Sequence, residues 1–163
     1  MSLPSLEGHN LIAWLDRTSD RWRTLLASHP EVLGFPCDIR ETKNVGGLLQ
    51  HVVAVELRYA ERLCALPETP YGAILDDSTE AIFTVHQRAM QLLLPLHEHD
   101  ADWWNHVLEF GTRSGGQMQA SRHIIFWHLL LHSIRHYAQL ATIVRQHGID
   151  PGWMMDYLDM RIA

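Results

Sequence analysis

Apolar side chains recur at helical spacing in four long tracts of the chain. In the first, Leu11, Ile12, Leu15, Trp22, Leu25 and Leu26 return at intervals that line one helix face, and the His29–Pro30 step supplies a stop. A helix is therefore predicted over residues 7–28, followed by a turn-rich connection from Pro30 to Lys43. Leu48, Leu49, Val52, Val55, Leu57, Tyr59 and Leu63 predict a second helix that ends before Pro67. Gly46 and Gly47 near its start lower helix propensity but permit close packing. Asp77 and Glu80 are spaced as a capping pair for a third helix over about 79–98, which Pro95 kinks or ends. Ser121 can cap a fourth, with Gly148 suited to the left-handed position after its last turn. Residues 99–119 are the least patterned. There "SGGQ" marks a turn and "HVLEFG" suits a short extended piece.

Four helices of about 20 residues, with almost no period-two stretches, predict an all-α fold. The natural architecture is an antiparallel four-helix bundle with long crossover connections, one domain over residues 1–163. The closing "IDPGWMMDYLDMRIA" is too apolar for a free tail and is expected to fold back over the bundle.

Composition narrows the function classes. A formal net charge of −6, with Lys43 the only lysine, argues against a nucleic-acid or anionic-membrane partner. No apolar run reaches the roughly 18 residues of a membrane span, and no secretory signal is visible, so a cytoplasmic location is expected. Cys37 and Cys64 have no metal-ligand spacing and fit reduced thiols, Cys64 in an apolar context. Trp103 and Trp104 suit the cover of a pocket or of a partner surface.

The chemistry concentrates in the fourth helix. His128, His132 and His136 follow one another at four-residue intervals among Leu129, Leu130, Leu131, Ile134 and Tyr137. Neighbours at i and i+4 differ by only about 40° around a helix and about 6 Å along it, so His132 and His136 can aim at one point. Helical His pairs hold zinc and similar ions in this way. His51, between Leu48 and Val55 on the apolar stripe of the second helix, offers a third inward ligand. Glu56, about 140° further around, cannot share that point. His128 drifts about 80° from His136 and belongs to the edge. The residues leave two readings open, a three-imidazole metal site or a set of hydrogen-bonded core histidines. His9, His29, His86, His97, His99, His106, His123 and His147 show no comparable arrangement and are expected on the surface or in loops.

"VGGLLQHVVAVELRYAERL" from Val45 and "HLLLHSIRHYAQLATIVRQHG" from His128 resemble the DinB-like superfamily of metalloenzymes, also called DinB/YfiT-like. Members place one His midway along the second helix and an HxxxH pair on the last long helix. His51, His132 and His136 match that pattern, with Ala138, Gln139 and Gly148 supporting the register. Arg135 departs from it, since many relatives carry another His there. The resemblance implies a four-helix bundle, often a homodimer, with a divalent ion such as nickel, zinc or iron. Characterised relatives include thiol S-transferases that use bacillithiol or mycothiol, and maleylpyruvate isomerase.

The leading expectation is a metal-dependent enzyme acting on a small molecule, thiol S-transferase-like or hydrolase-like. Gln139 could orient a ligand or bound water, and Arg58, seven residues beyond His51, could receive an anionic group or lie in a surface salt bridge. The alternatives are a non-catalytic, metal-stabilised, stress-associated binding protein, and a metal-free bundle with a ligand pocket.

Overall fold

The computed structural model describes residues 7–112, 116–156 and 158. Its long helices are α1 (Gly8–Ser28), α2 (Val45–Leu63), α3 (Thr79–Leu93) and α5 (Arg122–Gln146), with a short α4 (Ala101–Asn105). Three of the long helices start on a side-chain cap. Asn44 accepts from the Gly47 amide at 2.9 Å, Ser78 from Ala81 at 3.2 Å and Ser121 from Ile124 at 3.3 Å. Ser78, not Asp77, thus caps α3. Pro95 ends that helix at Leu93, and the chain continues as a 3-10 turn, Leu94–Glu98. After α5, Gly148 takes the left-handed conformation (φ 81°) and its amide returns to Arg145 O at 3.0 Å.

The all-α expectation needs one correction. Strands β1 (Val107–Thr112) and β2 (Gly116–Ser121) form an antiparallel hairpin, registered from Val107 opposite Ser121 to Thr112 opposite Gly116. Leu108 and Phe110 turn their alternate side chains toward the core while their neighbours face water. Such a two-strand ribbon depends on helix packing for its stability, so its sequence signal is short and weak.

The long helices enclose one apolar core. α2 packs between α3 and α5, and α1 touches both of those neighbours. Trp22, Leu15, Leu26, Leu49, Phe83, Leu130 and Tyr137 are buried there. Burying each large apolar side chain favours folding by about 1.5–3 kcal/mol. Gly46 lets the start of α2 approach the α2–α3 connection, because a Cβ there would lie 2.9 Å from Asp76 O. After α5 the chain returns across α1, where Trp153 meets the Trp22 ring edge-on at 5.0 Å. The rest of the closing segment, apart from residues up to 156 and residue 158, lies outside the described residues. Among those described, no helix is long and apolar enough to cross a membrane.

Polar side chains cross this core between α1, α2 and α3. His86, expected on the surface, is buried between Glu56 and Asp16, with Nδ1 2.7 Å from Glu56 Oε2 and Nε2 3.3 Å from Asp16 Oδ1. Glu56 is itself fully buried and faces α3, away from His51. Close by, Ser19 and Tyr137 join α1 to α5 at 2.9 Å. Desolvation opposes a charge on His86, but the two carboxylates outweigh it and raise the imidazole pKa from 6.5 to about 9.

The sign of the pH dependence follows. A folded pKa raised above 6.5 gives stability that is complete below pH 6.5 and is lost as pH rises through about 9. Asp16, lowered chiefly by its hydrogen bond to His86, contributes above its usual 3.8 and loses that contribution as pH falls. Glu56→Ala leaves a buried imidazolium without its main partner and is expected to cost about 3–5 kcal/mol at neutral pH. The deficit should shrink above pH 9. Urea denaturation across this range checks it, and a variant as stable as wild type at pH 7 would remove the assigned role.

Candidate metal centre

Helix periodicity delivers His132 and His136 to the same side of α5, and the packing of α5 on α2 brings His51 opposite them. The three rings are 9%, 7% and 1% exposed for His51, His132 and His136. One nitrogen from each lies within 4.8 Å of the others. Ring centroids are 4.8 Å apart for His51–His132, 5.2 Å for His51–His136 and 4.5 Å for His132–His136. Among the described residues, this is the place where three His, Cys, Asp or Glu side chains converge closely enough to hold a metal ion.

The protein's own hydrogen bonds leave the cluster incomplete. His51 Nε2 and His132 Nε2 face each other at 3.0 Å, where two neutral imidazoles can share only one proton. Two nitrogens bound to one zinc ion at about 2.0–2.1 Å would be about 3.3 Å apart in a tetrahedral site, so the observed spacing is close to a ligand pair. His132 Nδ1 is buried with no partner. His136 is oriented by Gln139, whose Oε1 accepts from Nδ1 at 2.7 Å and leaves the Nε2 lone pair available. Arg135 Nη2 now donates toward that Nε2 from 3.1 Å.

Electrostatics keep His132 and His136 in the ligating form. Desolvation, followed by the neighbouring histidines and Arg135, lowers the His132 pKa to about 2. His136 is lowered as well, first by burial and then by Arg135 and Arg40, against an opposing hydrogen bond to Gln139. Neutral imidazoles with available lone pairs suit a divalent cation, so the donor set fits such an ion.

A model of the DinB family matches residues 1–163. The chain belongs to the DinB family. No curated protein matches it.

In this DinB-family protein the remaining site candidates take different places. Gln139 holds His136 in orientation and does not reach outward as a ligand-binding group. His128 lies at the edge, exposed, with its ring 5.6 Å from that of His132 and 5.4 Å from that of Tyr59. A cavity of about 360 Å³ opens onto His51 and His132, and His128 and Arg58 line it. Arg58 is salt-bridged to Glu68, with Nη2 2.9 Å and Nε 3.2 Å from Oε2.

Sequence reasoning missed Arg62 and Arg40 in this wall and treated Arg135 only as a departure from relatives. A signal for Arg62 was present. It lies eleven residues after His51, within about 20° of it on α2, as Arg58 does. Arg40 carried no periodic signal, because it sits in an irregular connection with φ 55° and ψ 33°. The two cysteines are free and stand apart from the His cluster, and burial raises the Cys64 thiol pKa.

The depressed pKa of His132 has a testable sign. Its neutral burial contributes stability above the ordinary 6.5, and that contribution declines as pH falls below 6.5, opposite to the effect of His86. In chelator-treated protein the His132 ring resonances should show no titration between about pH 8 and 5. An NMR inflection near the ordinary histidine value at His132 would overturn the assigned environment.

Proposed function

We propose that this chain is a divalent-metal-binding DinB-family enzyme, an antiparallel four-helix bundle forming one domain, in which His51, His132 and His136 hold the ion. Nickel, zinc and iron suit this nitrogen set. The observation that carries the reading is the cavity at the cluster, since it gives a small molecule direct access to His51 and His132. A structural zinc site is typically closed by four protein ligands, whereas three ligands beside an opening leave a position for exchange. Among the described residues no fourth His, Cys, Asp or Glu joins the group.

When bound, a divalent ion supplies Lewis acidity, favouring thiolate over thiol or hydroxide over water at neutral pH. The chain's own residues do the positioning. Gln139 fixes the His136 ring, desolvation keeps His132 unprotonated, and Val55, Tyr59 and Met118 give the cavity an apolar side. Two reaction classes fit this arrangement, transfer of a low-molecular-weight thiol to an electrophile and hydrolysis. The alternative is a metal-stabilised, stress-associated binding protein in which the ion only joins α2 to α5. A homodimer completes the reading, with exposed Leu94, Ile124 and Leu131 available to a second copy.

Elemental analysis of protein purified without an affinity tag tests the metal assignment. Wild type should carry about one ion per chain, and His51→Ala, His132→Ala and His136→Ala should each lose most of it. His128→Ala should retain it. Gln139→Ala should weaken affinity about 10–100-fold through loss of ring orientation. Full occupancy in all three ligand variants would reject the site. A screen of small thiols with electrophiles, and of hydrolysable esters and amides, separates the two chemistries, and no turnover by metal-loaded protein favours the structural alternative.

A further inference from the structure

The cavity beside the His cluster has a charge that the whole chain does not. The sequence carries a formal net charge of −6, yet Arg40, Arg58, Arg62 and Arg135 all line this one opening and, among the described residues, no carboxylate does. Glu68 balances the Arg58 and Arg62 side of it. Its Oε2 accepts from Arg58 and its Oε1 accepts from Arg62 Nε and Nη2 at 2.8 and 2.6 Å. One carboxylate is thus shared by two guanidinium groups, and that side of the wall keeps a net positive charge.

Arg62 is held in place with little freedom. Its side chain is 9% exposed and its guanidinium lies 4.5 Å from the Tyr59 ring centre and 4.1 Å from that of Phe110. Its Nη1 is buried without an acceptor. A fixed, under-neutralised cation of this kind sets the potential of the cavity without needing to touch a ligand.

Arg40 and Arg135 stand on the other side, nearer the imidazoles. Both are exposed at their residues, so neither is there to support the core. Arg40 and Glu41 occupy left-handed backbone at φ 55° and 62°, a conformation unfavourable for non-glycine residues. The chain accepts that cost in the segment that sets Arg40 beside His51. Asp38 and Glu41 line an adjoining recess that shares Arg40, His51 and Tyr71 with this cavity. Arg135, one residue before His136, already reaches the edge of the cluster through its 3.1 Å contact with Nε2.

We infer that the cavity selects a small organic anion, whose carboxylate or phosphate group is received by Arg135 and Arg40 while its apolar body lies along Val55, Tyr59 and Met118. This rests on the reading of the cavity as the reaction site and adds the substrate class to it. The guanidinium fork suits both oxyanions, because it donates two parallel hydrogen bonds to either. A volume of about 360 Å³ fits a small organic molecule. Occupancy by an anion would also draw Arg135 away from His136 Nε2 and release that lone pair.

Binding of 3-phenylpropionate, phenyl phosphate and the neutral 3-phenylpropionamide, measured by calorimetry, tests the assignment. The two anions should bind about tenfold or more tightly than the amide and weaken as salt is added. Arg135→Gln and Arg40→Gln should each reduce that preference several-fold, with Arg135→Lys restoring part of it. Metal content is measured in parallel on every variant, so failure of the metal assignment is seen separately. Anion preference retained in His132→Ala supports the arginine wall even where metal is lost. The inference is overturned if the amide binds as tightly as the acids, if no anion binds at millimolar concentration, or if the preference survives in both glutamine variants. A preference that chelation abolishes while the glutamine variants keep it assigns the anion to the ion instead, and equally overturns the inference.

Discussion

His51, Glu56 and Glu61 give helix α2 buried polar commitments, and the first two set its place between α5 and α3. His51 turns to the imidazoles of α5, and Glu56, five residues on and about 140° around, turns to His86 of α3. Neither group can slide along its neighbour without leaving a polar atom stranded in an apolar core, where the loss is several times that of a surface contact. The two contacts therefore fix the height and rotation of α2 against both adjacent helices. Apolar packing alone is more permissive, since Leu and Val tolerate repacking that a 2.7 Å imidazole–carboxylate contact does not.

Separation of these commitments also divides the charge. Glu56 is placed against His86 and Glu61 against Arg88, both on the α3 side, while the cluster facing α5 is made of imidazoles. A cation bound there would keep its full charge toward the cavity. The arginine wall beyond it acts on whatever enters. Cationic and ligating groups are thus stacked on one side of α2, and the anionic groups are sealed on the other.

Much of this was legible in residue spacing. Ser121 and Gly148 bracket α5 as their types suggest, and the four-residue interval from His132 to His136 survives folding because a helix converts sequence distance directly into angle. His51 was legible for the same reason, from its place on an apolar stripe. His86 was not, because its partners lie 30 and 70 residues away and nothing local to it marks burial. The β1–β2 hairpin was visible only as a short extended piece, since its stability comes from helices distant in sequence. Arg58 fell on the His51 face by arithmetic, and its sharing of Glu68 with Arg62 did not, because the loop after α2 returns that acid to the helix.

Ser121 belongs at once to the last step of the hairpin and to the first turn of α5. No flexible joint separates the ribbon from the helix that carries His132 and His136. Gly111, Thr112 and Met118, which border the cavity, are therefore mounted on the same frame as the imidazoles. The shape of the opening can then be altered by residues that lie outside the helical heptads altogether. In a chain built this way the two-stranded ribbon can be rewritten while the helix registers that set the imidazoles stay untouched.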